Sequence, residues 1–219
     1  MTDYAATAQA ERHRSRADGD AAARPVYEMR SLHTDAERME AVALVEDRLG
    51  WLARHSLPVP ARTDIPELFC NDTQAVGLFE DGVLLACMIL ALDVGTGRGN
   101  SVGTGPGLLL QHVYTLPEHP DDMARLITLW SSDCAARLGR PHVGVETYTS
   151  SEPDTGPTCR LLNRLQDMGW TVTGTAVRLG EQVIRLALRA EARPALRALI
   201  GCAVPPPAPA STDSNEDVS

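Results

Sequence analysis

The sequence predicts an α/β fold in which a mixed, mostly antiparallel sheet is flanked by helices. Tight hairpin turns are predicted at Glu80-Asp81-Gly82 and at Leu179-Gly180-Glu181, towards the two ends of the chain. Between them, apolar strands alternate with helical patterns. Hairpins pair strands antiparallel and helical crossovers pair them parallel, so this order predicts a mixed sheet. The predicted element order is β-α-β-β-β-α-β-α-β-β.

The first half of the chain contains one strand, one long helix and one hairpin. A strand is expected at Val26–Leu32, and Thr34 or Asp35 is a suitable cap for the helix that follows. The Pro-punctuated segment 57–69 predicts a connection with a short helical turn at its end. The two hairpin strands lie within 74–92, and the glycine-rich segment Asp93–Gly107 predicts a flexible connector.

The second half repeats the strand-helix alternation. A strand at 108–116 precedes a helix that begins near Asp121 and Asp122 and stops at Gly139. A strand at 142–150 and a helix at 158–169 follow, and two further strands form the second hairpin. A short extra helix is expected in the segment "ARPALRALIG".

The length of 219 residues and the hydrophobic content of 43% fit one domain with a substantial core. We expect that domain at 26–200, between disordered tails at 1–25 and 203–219 that lack an apolar stripe. No signal peptide or membrane span is expected. The five cysteines are widely spaced without a CxxC motif, which predicts neither a zinc site nor a disulfide framework and favours the cytoplasm. The net charge of −9 disfavours a DNA partner.

Three segments resemble the Gcn5-related N-acetyltransferase (GNAT) superfamily, and the resemblance spans Val26 to Glu191. Leu108–Pro117 is similar to the family strand that ends in a V-x-P step before a loop and a long helix. The segment "HVGVETYTS" occupies the place of the next strand, which in the family splays from its neighbour to admit the pantetheine arm of acyl-coenzyme A. Met168-Gly169-Trp170 stands where the family has Leu-Gly-Phe.

The resemblance implies an N-acyltransferase that takes an acyl group from acetyl-coenzyme A or another acyl-coenzyme A. The implied cofactor-binding residues are Val113, Tyr114 and Thr115 on the strand and Asp122, Met123, Ala124 and Arg125 on the helix. The family's Arg/Gln-x-x-Gly-x-Gly/Ala loop is replaced by residues 120–125, which contain no glycine. Asp121 and Asp122 would repel a pyrophosphate there, although aspartates also favour a helix start on their own account.

Candidate catalytic residues lie on the two neighbouring strands. By strand alternation, His112 and Tyr114 share one face while Gln111 and Val113 share the other. His112 is either a base for the incoming amine or a hydrogen-bonded core residue. Glu146 and Tyr148 form a similar pair, in which Glu146 either takes the amine proton or is an ordinary solvent-facing carboxylate.

Other candidates are less specific. Leu165 and Thr158 stand where the family often has a proton-donating Tyr and an Asn, so the usual general acid is missing. Cys159 begins a helix but has no paired base in the sequence, which favours an inert thiol. Trp51, with Arg54 and His55 after it, falls where the family builds its acceptor site, and core packing is an equal alternative. The glycine-rich connector lacks the Lys-Ser/Thr pair of a nucleotide-binding loop.

Two functions follow from these patterns. The first is transfer of an acyl group from acyl-coenzyme A, an acyl carrier protein or an aminoacyl-tRNA to an amine of a small molecule in specialised metabolism. The last two donors would need a basic face, for which the candidates are Arg125, Arg137, Arg140, Arg160 and Arg164. The second is a catalytically inactive member that keeps the fold as a binding or regulatory module.

Overall fold

The computed structural model describes residues 27–71, 73–93, 106–117, 120–148, 156–178 and 180–207. The predictions for the first tail, for most of the glycine-rich connector and for most of the last tail lie outside these residues. The side chain of Asp121 also lies outside them.

The described residues contain four α-helices, one 3-10 helix and eight strands. The α-helices are α1 (Asp35–Arg54), α2 (Ile65–Leu68), α3 (Pro120–Arg137) and α4 (Pro157–Asp167). The 3-10 helix is Pro194–Ala198. The strands are β1 (Tyr27–Ser31), β2 (Gln74–Glu80), β3 (Val83–Asp93), β4 (Gly107–Thr115), β5 (His142–Tyr148), β6 (Thr171–Arg178), β7 (Glu181–Arg189) and β8 (Ile200–Ala203).

The strands form one sheet in the order β6-β7-β5-β4-β3-β2-β1-β8. β4 pairs with β5 in parallel and β1 with β8 in parallel, and every other neighbouring pair is antiparallel. The predicted mixed, mostly antiparallel sheet is therefore confirmed. No helix in the described part of the chain has the length and apolar character needed to cross a membrane.

The predicted cap of α1 and the predicted first hairpin turn are both confirmed. Thr34 accepts a hydrogen bond from the backbone N–H of Glu37, whose side chain in turn accepts from the N–H of Thr34, so the helix begins with a capping box. Between β2 and β3, Asp81 and Gly82 have φ angles of 50° and 79°. Two successive left-handed residues fit a two-residue hairpin, which explains the Asp-Gly pair.

The sequence analysis did not predict β8. This strand is only four residues long, and it pairs with β1 in the register Tyr27↔Ile200 to Arg30↔Ala203. The 3-10 helix precedes β8 and confirms the predicted short extra helix. Its buried residue Leu196 packs into the core and so holds the segment that leads into β8. The sheet therefore continues through residues 201–203.

The two faces of the sheet carry separate hydrophobic clusters. Cluster one joins α3 and α4 to one face and contains Met29, Met88, Leu108, Leu110, Trp130, Trp170 and Leu186 among its buried members. Cluster two joins α1 and α2 to the opposite face and contains Ala41, Val45, Ile65, Phe69, Cys87, Ile89 and Tyr114. The helices thus cover opposite faces, and α1 and α3 lie on different sides of β4.

Gly77 on β2 is a position where a side chain does not fit. A methyl group added there would lie 2.6 Å from the ring of Phe79 and 2.7 Å from a methyl group of Leu84. We expect Gly77→Ala to lower the free energy of unfolding by about 1 to 3 kcal/mol because both neighbours are buried and cannot move freely. Urea denaturation measures the effect.

Gly201→Ala is the matched control, because its nearest neighbours would be 3.8 Å away. Its free energy of unfolding should change by less than about 0.5 kcal/mol. Equal effects at the two positions would contradict the packing argument for Gly77.

Candidate active site

The sheet opens between β4 and β5. These parallel strands are paired only at Leu108↔Val143, Leu109↔Gly144 and Leu110↔Val145. Beyond that point β5 continues beside β7 as far as Tyr148, and β4 continues beside β3 as far as Thr115. The strands therefore diverge over the half that carries the predicted catalytic residues, as the resemblance implied.

A β-bulge at His112 accompanies this divergence. Gln111 pairs with Ile89 and Tyr114 with Cys87, so two residues of β4 stand opposite the single residue between those partners. His112 has a φ angle of 50°, in the left-handed region that non-glycine residues seldom adopt. The extra residue bends β4 and interrupts its ladder, which gives a local cause for the opening.

The bulge corrects the predicted facing of the β4 side chains. Ile89 and Cys87 are two residues apart and share a face, so their partners Gln111 and Tyr114 share it too. Val113 instead packs against cluster one, on the other face. The predicted sharing of one face by Gln111 and Val113 is wrong, because strict alternation fails across a bulge.

Glu146 and Tyr148 lie on the same face of the sheet as Gln111 and Tyr114. Val145 packs against cluster one on the opposite face, so its neighbour Glu146 faces the α1 side. Arg185 stands directly across from Glu146 on β7. The opening is therefore surrounded on one face by polar side chains from three strands.

Glu146 is engaged in an ion pair. The Nε of Arg185 donates to Oε1 of Glu146 at 3.1 Å, and the two side chains are 15% and 27% exposed. The geometry holds Glu146 at the opening as an oriented negative charge.

The connection between α1 and α2 lies beside this opening. Arg62 donates from Nε and Nη2 to the two carboxylate oxygens of Asp64 at 2.5 and 2.8 Å. Arg62 and Asp64 both influence the pKa of His112. Burial and the positive charge of Arg62 lower this pKa below its usual 6.5, whereas the negative charge of Asp64 raises it. His112 is therefore held as a neutral imidazole at neutral pH, which is the form that accepts a proton.

A second contact fastens the same connection to the far side of the opening. The backbone N–H of Ala61 donates to both carboxylate oxygens of Glu181, each at 3.1 Å. Glu181 is the first residue of β7, 120 positions further along the chain. The connection therefore spans from α1 to the second hairpin, across the end of the sheet where β4 and β5 separate.

Tyr114 is the most buried of the predicted catalytic residues, at 8% exposure. Its pKa is raised by burial and then by the neighbouring Tyr148 and Cys87. Its phenol is therefore protonated at every physiological pH and is suited to donate a hydrogen bond. Tyr148 lies on the same face of the neighbouring strand β5 and contributes to this shift.

The predicted donor segment follows β4. Thr115 and Asp122 lie at the end of β4 and in the first turn of α3, and Asp122 is exposed. Met123 is a buried member of cluster one, Ala124 is half-buried and Arg125 is exposed. A phosphate at this helix start would meet the exposed carboxylate of Asp122 and no glycine, so the segment fits a pyrophosphate poorly.

Two of the five candidate arginines lie far apart on α3. Arg125 lies in the first turns of α3 and Arg137 at its last residue, so they are separated by about 18 Å at 1.5 Å per residue. Arg137 is also engaged by Asp133 at 2.9 Å and donates to the sulfur of Cys202. Arg125 and Arg137 therefore do not lie on one patch, and Arg137 is occupied by its contacts with Asp133 and Cys202.

The remaining candidates have mainly structural surroundings. Leu165 packs against cluster one and Thr158 is buried. Cys159 accepts a hydrogen bond from Asn163 at 3.7 Å. Trp51 is half-buried outside both core clusters and stacks on His55 with ring centres 4.0 Å apart.

The sequence analysis missed the charged residues Arg62, Asp64, Glu181 and Arg185 as members of the site. Arg62 and Asp64 lie in a segment that the sequence marks only as a Pro-punctuated connection. Arg185 occupies an ordinary alternating strand position. Nothing in their spacing along the chain links them to His112 or Glu146, because only the folded sheet brings these segments together.

The fold defined by this sheet and its flanking helices is similar to that of solved acetyltransferases of the GNAT family. No protein-family model and no curated protein matches the sequence. Solved structures match the fold at low identity. The ribosomal-protein-S18-alanine N-acetyltransferase of Escherichia coli is 13% identical with a TM-score of 0.51, over 76% of this chain and 95% of that one.

Two other acetyltransferases match over similar lengths. An N-acetyltransferase from Staphylococcus aureus Mu50 is 13% identical with a TM-score of 0.54, over 75% of this chain and 98% of that one. The aminoglycoside 6'-N-acetyltransferase from Enterococcus faecium is 11% identical with a TM-score of 0.50, over 76% and 98%. The predicted resemblance is confirmed for the fold, and at these identities the likeness supports the fold alone.

Proposed function

We propose that this protein is an N-acyltransferase that moves an acyl group from a thioester donor to an amine. The observation that carries the proposal is the opening between β4 and β5, where pairing stops after Leu110 and Val145. Strand backbone groups freed from pairing can donate hydrogen bonds to the carbonyl oxygen of a thioester inserted there. Polar side chains from three strands surround the same opening on the α1 side.

The residues suggest a division of roles. His112, neutral at neutral pH, takes the proton that the attacking amine releases, directly or through water. The phenols of Tyr114 and Tyr148 donate hydrogen bonds at the opening that stabilise the leaving thiolate, which then takes up a proton from water. Glu146, oriented by Arg185, attracts the protonated amine before it is deprotonated. Bringing amine and carbonyl together supplies much of the rate increase.

The donor is an acyl group on a pantetheine arm, and acetyl-coenzyme A or another acyl-coenzyme A is the simplest carrier. Val113, Tyr114 and Thr115 would line the arm, and the start of α3 from Asp122 to Arg125 would face the phosphates. The arm would lie in the opening, whereas Asp122 would oppose the pyrophosphate. An acyl carrier protein has one phosphodiester in place of the pyrophosphate and so meets less repulsion at this helix start.

The test is acetyl transfer itself. The full-length chain is incubated with acetyl-coenzyme A and a panel of primary amines, and released coenzyme A thiol is measured together with the mass of the acetylated amine. We expect amine-dependent thiol release that is lost in a Tyr114→Phe, Tyr148→Phe double variant. A chain that shows no thermal shift with millimolar acetyl-coenzyme A or S-acetyl-pantetheine and acetylates no amine would overturn the proposal.

The pH dependence of transfer tests the role of His112. Because burial and Arg62 lower the pKa of His112, its base form persists below pH 6.5, and kcat/KM should fall only at more acidic pH. Asp64→Asn removes the group that raises this pKa and should move the acidic limb to lower pH. His112→Asn, in which Asn tolerates the left-handed backbone, should remove the limb. An unchanged limb in His112→Asn would rule out the assignment.

A further inference from the structure

Arg62 presents an unused binding edge beside the proposed transfer site. A guanidinium has two edges that can each hold a carboxylate in a fork of two N–H groups. Asp64 occupies the edge formed by Nε and Nη2. Among the described residues Nη1 has no hydrogen-bond partner, and the side chain is 32% exposed. The second edge, formed by Nη1 and Nη2, is therefore available to a ligand.

This edge lies near the residues proposed to act on the amine. Arg62 influences His112 electrostatically, and Tyr148 influences Arg62 in turn. The contact of Ala61 with Glu181 fixes the neighbouring backbone across the opening. A ligand held by Arg62 therefore lies on the connection that crosses the end of the opening.

The charges on this face favour a ligand with both signs of charge. Arg62 is paired with Asp64, and Arg185 is paired with Glu146, so two basic and two acidic groups flank the opening. A phosphate dianion at Arg62 would meet the adjacent carboxylate of Asp64, whereas a singly charged carboxylate is repelled less. A positively charged amine is attracted by Glu146 while its carboxylate turns towards Arg62.

We propose that the acyl acceptor is a free amino acid, whose carboxylate is bound by the second edge of Arg62 and whose amine faces His112 and Glu146. This inference rests on the proposed acyl transfer and narrows its substrate class. In an α-amino acid the two groups are separated by a single carbon, which suits recognition and reaction within one small site. Arg62 is thus a specificity-determining residue and takes no part in the bond changes.

The experiment compares free amino acids with their carboxamides. The full-length chain and acetyl-coenzyme A are incubated with each of the twenty amino acids and with each matching amide, and kcat/KM is measured from released thiol at pH 8.5. The amides have the lower amine pKa and more neutral amine, so intrinsic reactivity favours them. We expect kcat/KM for at least one free acid to exceed that for its amide by about tenfold to a hundredfold. This is the effect expected when a charged hydrogen-bonded pair is lost.

Two variants assign the preference to Arg62. Arg62→Gln should lower kcat/KM for the free acid to about the level of the amide, so that the ratio of the two values falls to about one; His112 is neutral at pH 8.5 in either protein. Asp64→Asn frees both edges and should raise kcat/KM for the free acid. Arg197→Gln, with the same charge change on the exposed side of the 3-10 helix, is the control and should alter neither rate.

The possible outcomes distinguish failure of the amino-acid acceptor from failure of the proposed acyl transfer. Equal rates for acids and amides, or transfer to other amines with no free acid accepted, would overturn the inference and leave acyl transfer standing. An acid preference that survives in Arg62→Gln would also overturn it. Absence of transfer to every amine tested, with no thermal shift on addition of donor, would overturn the proposed function and the inference together.

Discussion

Trp130→Ala is expected to lower the free energy of unfolding by about 3 to 5 kcal/mol. Trp130 is 1% exposed and is among the largest fully buried side chains of the described residues. It packs from α3 into cluster one, and its indole N–H donates to the sulfur of Cys202 on β8 at 3.5 Å. Removal leaves a cavity between helix and sheet and also detaches the edge strand. Urea denaturation followed by fluorescence and circular dichroism measures the loss.

Trp130→Ala should also weaken binding of the proposed acyl donor, because α3 carries the residues after β4 that would face the donor. A loss of this size is a large fraction of the 5 to 15 kcal/mol typical of a domain. Trp51→Ala is the matched control, since that ring is half-buried outside both clusters and stacks only on α1 neighbours. For this control we expect the free energy of unfolding to fall by about 1 kcal/mol. A similar loss for both variants would show that Trp130 has no special place in the core.

The double variant Asp121→Gly, Asp122→Gly is expected to bind coenzyme A about ten times more tightly than the unchanged chain. Exposed Asp122 lies in the first turn of α3, where a pyrophosphate would be bound. One unit-charge repulsion at ~4 Å is worth about 1 kcal/mol in water and about 4 kcal/mol near a protein surface. Because Asp122 is exposed, we expect a repulsion near the lower of these two values. A difference of 1.4 kcal/mol corresponds to about a tenfold change in affinity. Titration calorimetry with free coenzyme A measures the change.

S-acetyl-pantetheine is the control ligand, because it carries the arm without the pyrophosphate. Its affinity should be the same for both proteins. The substitutions also remove favourable charge at a helix start, so a loss of about 1 kcal/mol in stability is expected alongside. Unchanged affinity for coenzyme A, or an equal gain for S-acetyl-pantetheine, would contradict the electrostatic account of this segment.

Local sequence was sufficient for most of the elements. Asp81-Gly82 determines a tight turn by its tolerance of left-handed backbone, and Thr34 with Glu37 determines a helix start by reciprocal hydrogen bonds. β8 escaped prediction because four residues, three of them exposed, carry too short a pattern. Its place is set by pairing with β1, a partner more than 170 positions earlier in the chain.

The site was predictable only in part. The resemblance placed the residues of β4 and β5 at the opening. The predicted shared face of Gln111 and Val113 on β4 was nevertheless wrong. Alternation assumes a regular ladder, and the bulge at His112 is fixed by which residue of β3 each residue of β4 meets. Arg62 and Arg185 joined the site only through the fold, since a loop and a strand of unremarkable pattern acquire their role from their neighbours.

By itself, the sequence determined the order of strands and helices, the caps and turns, and the acidic start of α3, because these depend on residues close together in the chain. The tertiary structure decided where β4 and β5 separate, which side chains face the opening, and that Arg62 and Asp64 influence the pKa of His112. Those features depend on pairing register and on contacts between distant segments. Such contacts leave no mark in local periodicity or composition.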